Sequence, residues 1–356
     1  MCKLVQTNKI SYLCSTMKYS RKSLDKAGKA LLDPFTRSEV IEKVSSWRMT
    51  HLPVLRVFVE ELTKHLNANG IPFAFYSQRI KRMTSIIDKL RNNPQMGLGG
   101  LQDIGGARFV FDTMEELEHC KKTLETFVPI GFTFHRITDY VENPKPSGYR
   151  SIHYVYQYHS DNEELDGLKI ELQIRTRLEH SWAMAVETAS LISRTSLKAN
   201  IEDGSIWREF FKLVSAIFAK REDKPVPQEF IGYSHDDFCK AYIQYVEQYR
   251  LLDQLRALRV TVNWDDVYGD SNDGYCVLSI NFAEKTVSYR TYRSEDEESA
   301  TSTFAQLEQN IDSNEAVLLV SIAKMQELRE AYPSYFLDTK EFLSALSEFD
   351  SSCRIH

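Results

Sequence analysis

Residues 168–176 read LKIELQIRT, a run in which Ile170, Leu172 and Ile174 alternate strictly with Glu171, Gln173 and Arg175. Successive side chains of a β-strand point to opposite faces, so this period predicts a strand with one apolar and one polar face. The apolar face needs a core to cover it. The polar face either meets solvent or lines a cleft, and alternation by itself fits both.

The flanking segments supply that core. GARFVFD (106–112) and SIHYVYQYH (151–159) read as further strands, and MEELEHCKKTLETF (114–127) as an amphipathic helix. Upstream, residues 36–70 read as helix, break, helix. Ser38 suits the first cap, Pro53 the first turn of the second helix, and Asn69-Gly70 its end. KRMTSIIDKLRNN (81–93) is a short helix closed by Asn-Asn-Pro, and 179–193 and 205–220 are two more. The charged, proline-bearing REDKPVPQ (221–228) marks a boundary. Beyond it the pattern predicts a long helix over 236–258, a hairpin of YCVLSINF and TVSYRTY, and a helix over 297–311. A strand AVLLVSI and a helix stopped at Tyr332 by Pro333 follow. The order is mixed rather than alternating, so the fold class is α+β. The expected organisation is a domain over 1–220, a linker over 221–235 and a smaller α+β domain over 236–356.

A length of 356 residues with 42% hydrophobic content suits two globular units and excludes a disordered chain. No apolar run is long enough to span a membrane, and no signal segment opens the chain. The six cysteines are scattered without a C-x-x-C pair, which argues against a structural zinc site and a disulfide framework and for a reducing cytoplasm. Charge is asymmetric. Residues 1–48 hold ten Lys/Arg against four Asp/Glu, and residues 284–350 hold six against fourteen. A basic front attracts phosphates and an acidic rear can cover it, although charge blocks also arise as plain solvated faces.

Four polar clusters share one chemical theme. In SQRIKRMTSIIDKL (77–90), Lys81, Ser85 and Lys89 fall four apart on one helix face beside Arg79, a cationic row suited to polyphosphate or simply to water. In QDIGGARFVF (102–111), Asp103 precedes a strand carrying Arg108, and Gly105 and Gly106 let a ligand approach the backbone. A turn-forming Asp is equally ordinary there. In residues 139–159 a Pro-Ser-Gly loop presents Tyr149, a stacking surface for a base. Alternation sets Arg150, Ile152, Tyr154 and Tyr156 on one face, and Tyr149, Ser151 and His153 on the other. The fourth cluster is the opening strand. Asp103 and Glu171, if brought together, would hold a hard cation such as magnesium beside substrate phosphates. Joint occurrence points to phosphoryl chemistry run by positioning and charge neutralisation.

Taken in order over residues 40–200, RIKRMTSIIDK, DIGGARFVF, DYVENPKPSGYRSIH and IELQIRT resemble the synthetase domain of the RelA/SpoT alarmone family. The resemblance implies a nucleotidyltransferase-like mixed sheet flanked by helices. It also implies transfer of diphosphate from ATP to a ribose 3′-hydroxyl. Arg79 and Arg108 would sandwich adenine, and Lys81, Ser85 and Lys89 would hold the phosphates. Asp103 and Glu171 would bind Mg²⁺, and Glu171 and Gln173 would act at the transfer centre. Tyr149, Arg150 and Arg175 would meet the acceptor. Gln78 stands where the family often has Gly. No hydrolase domain is recognisable, SHDDF with His235 and Asp236 being its one trace.

HSWAMAVET (180–188) looks like the toxic branch of that family. LREAYPSYFLDTKEFLSAL (328–346) resembles the C-terminal segment of CapRel-type fused toxin–antitoxin proteins, in which a pseudo-zinc-finger domain without metal ligands folds back. Its Tyr332 and Tyr335 would block the adenine slot, or simply cover that domain's own core. Such a protein would modify the 3′-terminal adenosine of tRNA, held by Lys18, Arg21, Lys22, Lys26 and Lys29. It would be released by a phage protein, typically the capsid protein. The alternatives are an alarmone synthetase acting on a free nucleotide and a catalytically retired nucleotide sensor.

Overall fold

The computed structural model describes residues 19–33, 35–196, 203–257, 274–281, 286–309, 315–322 and 339–354. Its centre is the strand predicted from alternation, β5 (Lys169–Thr176). β2 (Gly105–Phe111) lies parallel to β5 on one side, with Gly106 opposite Glu171 and Arg108 opposite Gln173. β4 (Ile152–Tyr158) runs antiparallel on the other side, with His153 opposite Gln173. β1 (Phe75–Ile80) pairs with β2 and sets Arg79 against Gly106 and Ser77 against Arg108. This register gathers Ser77, Arg79, Gly106, Arg108, Glu171, Gln173 and His153 on one face.

The opposite face is apolar. Ala107, Phe109, Phe111, Ile152, Tyr154, Tyr156, Ile170, Leu172 and Ile174 are all buried there against α3 (His51–Ala68) and α5 (Met114–Leu124). α5 is fixed by a capping box in which Thr113 and Glu116 satisfy each other's backbone. β3 (Phe132–Asp139) forms the sheet's outer edge beside β4. α1 (Arg21–Ala30), α2 (Ser38–Met49) and α4 (Met83–Asn92) make a separate small core around Trp47, Ile86, Leu98 and Ile104.

The polar side is closed in part by α6 (Arg177–Ser196), whose His180 packs edge-on against Phe75. α7 (Asp203–Arg221), α8 (His235–Tyr249), α9 (Leu251–Ala257) and α11 (Lys340–Cys353) share one core with α6. The hairpin β6 (Gly274–Asn281) and β7 (Thr286–Arg293) forms as expected. β8 (Glu315–Ile322) pairs with β6 and also with β1, at Gln78 and Arg79. The described strands thus make one eight-stranded mixed sheet in the order β3-β4-β5-β2-β1-β8-β6-β7. No described helix is long and apolar enough to cross a membrane.

Several expectations need correction. Ser38 is the first residue of α2, and Arg37 occupies the cap position. The long helix expected over 236–258 breaks at Arg250, which takes the left-handed conformation (φ 51°). α1, β1 and β3 were not anticipated. Cys239 and Cys353 are disulfide-bonded, 114 residues apart, because α8 and α11 pack together. Tyr332 and Tyr335 lie outside the described residues.

α10 (Glu297–Gln309) ties the later elements to the earlier ones. Its Glu308 is bonded by both terminal nitrogens of the fully buried Arg48, at 2.5 and 3.1 Å. Arg48 also donates to the Lys81 carbonyl (2.9 Å), and Glu308 accepts from the Met83 amide at the start of α4 (3.1 Å). Breaking a buried pair strands a charge and costs about 3–5 kcal/mol. Glu308→Ala should therefore lower stability in denaturant unfolding by about that amount, and Arg48→Leu/Glu308→Leu should restore most of it. An unchanged midpoint in the single variant would show that the pair is not tightly held.

Candidate functional site

At the end of the polar face where β2 and β5 begin, a pocket is lined by Ser77, Arg79, Lys81, Asp103, Gly106, Arg108, Glu171 and Gln173. Gly106 forms its floor. A Cβ there would meet nothing nearer than 4.0 Å, so the missing side chain is open space between Arg79 and Glu171. Gly105 serves packing instead, since a Cβ would come within 2.8 Å of Ile170.

Asp103 holds two lysines. Its Oδ2 accepts from Lys81 at 3.0 Å and from Lys89 at 2.7 Å. Burial pushes its carboxyl up, but the two ammonium groups outweigh this and bring it from 3.8 down to about 2. Burial in turn lowers the Lys81 ammonium against the pull of Asp103. Asp103 Oδ1 is buried and has no hydrogen-bond partner among the described residues.

Glu171 sits in a closed ring. Arg175 donates to Tyr149 Oη (2.6 Å) and to Gln173 Oε1 (2.8 Å), and Gln173 Nε2 donates to Glu171 Oε2 (2.7 Å). Tyr149 Oη lies 2.7 Å from His153 Nε2, and His153 Nδ1 lies 3.2 Å from Glu171 Oε1. One proton assignment is consistent with all of these bonds: the tyrosine donates to Nε2, and Nδ1–H donates to the carboxylate. Burial raises the Glu171 carboxyl, but the bonds from His153 and Gln173 bring it below its usual range against the opposing charge of Asp103. The two acids thus face one pocket.

Most of the residues singled out from sequence meet here. Ser85 lies half-buried on α4, outside the pocket wall. Tyr149 is half-buried, with the Lys145 and Arg175 cations over its ring at 4.9 and 5.1 Å. Arg150 is not at the cleft: it is 2% exposed and paired with Glu179 (3.2 Å) and Glu222 (2.7 Å). Its place in acceptor binding is corrected to a structural tie between the loop and α6. Sequence reasoning gave no role to Ser151, which accepts from Arg175 Nε (3.2 Å), or to Arg48 and Glu308.

The donor set fits a divalent cation. A buried unpartnered carboxylate oxygen on Asp103 faces the same pocket as Glu171, and hard cations take such oxygens. The pocket encloses about 60 Å³, below the roughly 300–1,000 Å³ of ordinary ligand sites, so a nucleotide requires its walls to part.

Residues 78–192 match the family model described as a region found in RelA / SpoT proteins. The chain is 33% identical over 117 residues to the GTP pyrophosphokinase YjbM of Bacillus subtilis, covering 32% of this chain and 54% of that protein. It is 31% identical over 152 residues to a GTP pyrophosphokinase of Photobacterium angustum, covering 41% and 18%. The crystal structure of small alarmone synthetase 1 from Bacillus subtilis aligns at 26% identity and a TM-score of 0.38, over 50% of this chain and 93% of that one. The chain spans about half the length, or less, of these two curated relatives. The matched region runs from β1 into α6 and contains every pocket residue except Ser77.

Asp103 has its folded value below the ordinary 3.8, so its contribution to stability is complete above about pH 4 and is lost as pH falls towards 2. The shift corresponds to about 2 kcal/mol. Acid titration of stability should show this loss in the wild type, and Asp103→Asn should flatten that limb. An identical acid limb in the variant would refute the charge triad.

Proposed function

We propose that the chain is an ATP-dependent pyrophosphokinase acting on the 3′-hydroxyl of a guanosine nucleotide. The observation that carries this reading is the meeting of Asp103, Lys81 and Glu171 in one pocket, with Lys89 bonded to Asp103, inside the segment matched to the RelA/SpoT region. The curated relatives matched there are named GTP pyrophosphokinases.

In this reading Lys81, Lys89 and Ser85 receive the phosphates of ATP, and Arg79 and Arg108 flank its adenine. The lysines exchange Asp103 for phosphate oxygens, keeping each ammonium paired. Asp103 and Glu171 would hold Mg²⁺, which neutralises charge on the transferred diphosphate. The acceptor 3′-oxygen bonds to the β-phosphorus, the bond from that phosphorus to the α-bridging oxygen breaks, and AMP leaves. Glu171, kept ionised by its ring partners, orients the attacking hydroxyl and takes its proton. Tyr149 offers its ring to the acceptor base, and the buried, unpartnered Nη1 of Arg175 supplies a donor.

A second reading has the 3′-terminal adenosine of tRNA as acceptor. It is favoured by the exposed Lys22, Lys26 and Lys29 of α1, which packs on residues 98–100 just ahead of Asp103. A plug of Tyr332 and Tyr335 released by a phage protein belongs to this reading, and in it Tyr332→Ala raises basal transfer.

The full chain, incubated with ATP labelled at the β-phosphate and with GDP, GTP or deacylated tRNA, should place label on a guanosine nucleotide by thin-layer chromatography. Label confined to tRNA selects the second reading, and label on neither removes both. Asp103→Asn should reduce transfer roughly 100-fold or more, the scale of losing a charge-positioning group in an active site. Unreduced transfer would place the chemistry elsewhere.

A further inference from the structure

His235 opens α8, Cys239 stands one turn later on the same face, and Cys353 closes α11. One donor atom from each lies within 4.8 Å of the other two. His235 Nε2 is 3.5 Å from Cys239 Sγ, and the cysteine Cα atoms are 5.1 Å apart. Around a tetrahedral zinc, with Zn–N about 2.0–2.1 Å and Zn–S about 2.3 Å, neighbouring nitrogen and sulfur ligands stand about 3.6 Å apart. The His235–Cys239 spacing is therefore that of neighbouring zinc ligands, while the two sulfurs, bonded to each other in this structure, would have to part on reduction to share an ion.

We infer that, with both cysteines reduced, His235, Cys239 and Cys353 form a zinc-binding site that fastens α11 to α8. The disulfide and the metal site are alternative states of the same sulfurs. Starting from thiols no redox step is needed: Zn²⁺ takes two thiolates and one neutral imidazole, and two thiol protons are released. His235 is also oriented, its ring packing edge-on against Phe349 of α11 at 5.5 Å. The three ligands leave a fourth position, which water fills.

The mixed composition of the cluster separates it from an ordinary ion pair. Two soft sulfur donors and one imidazole select zinc over magnesium or calcium, so the site does not compete for the hard cation of the sheet pocket. It lies among the helices of the second core, on elements that line none of that pocket. Its test is thus independent of the proposed reaction.

The full chain, purified anaerobically with thiol reductant and stripped of metal, is titrated with Co²⁺ and then Zn²⁺. The expected result is about one equivalent of Co²⁺ with thiolate-to-cobalt absorption, displaced by Zn²⁺. Uptake should be lost in Cys239→Ser and Cys353→Ser and weakened at least about tenfold in His235→Ala. Because a serine variant can fail to fold, alkylation of the wild type is read by mass spectrometry with and without Zn²⁺. Protection of Cys239 and Cys353 supports the site. Reduced chain that takes up no Co²⁺, equal alkylation with and without Zn²⁺, or uptake unchanged in a folded Cys239→Ser protein overturns it.

Discussion

A buried carboxylate is costly unless every lone pair is answered, and Glu171 organises the polar half of the sheet around that requirement. Its neighbours on β5, on β4 and in the loop before β4 supply the answer in a ring of hydrogen bonds through Gln173, Arg175, Tyr149 and His153. The ring explains why acid, amide and base alternate on one strand. Spaced two apart, they stack on one face within reach of each other, and His153 enters from the neighbouring strand at the matching register. A one-residue slip of β4 would turn His153 to the apolar face and open the ring, so strand register and site geometry are one constraint.

The second acid is held differently. Asp103 lies outside the strands and takes its order from two lysines on the α4 side. Those lysines are positioned by Arg48 and Glu308, which grip the backbone at Lys81 and Met83. The late part of the chain is therefore built into the early part beside the site: β8 pairs with β1 at Arg79, and α10 holds the start of α4. A displacement of α10 would reach the lysines through a single buried ion pair, a shorter path than any through the apolar core.

Regular patterns made much of this legible. β2, β4, β5 and the hairpin β6–β7 follow from alternation, and α4 and α5 from caps and helical spacing. β1 escaped because Phe75, Ser77 and Arg79 on one face and Tyr76, Gln78 and Ile80 on the other mix polar and apolar residues alike. Arg150 is instructive. Alternation put it with Ile152 and Tyr154, which are core residues, so the period already argued against a place in the cleft. Its partners Glu179, on α6, and Glu222, in the turn after α7, are distant in sequence, and no spacing rule connects them to it. The same holds for Cys239 and Cys353, whose 114-residue separation hid them from any motif based on close spacing.

The closed pocket then has a definite meaning in physical terms. Lys81 and Lys89 already have a carboxylate partner, so under the proposed function phosphate binding would be an exchange of anions rather than the filling of a bare cationic site. Such an exchange would free Asp103 Oδ2 beside Oδ1, which has no partner among the described residues, and would make the carboxylate a better ligand for a divalent ion. Nucleotide and metal would thus bind with positive coupling, each removing a competitor of the other. The N-terminus of α4 is tied to Glu308 of α10, so the helix that follows Lys81 is anchored to a late element of the chain.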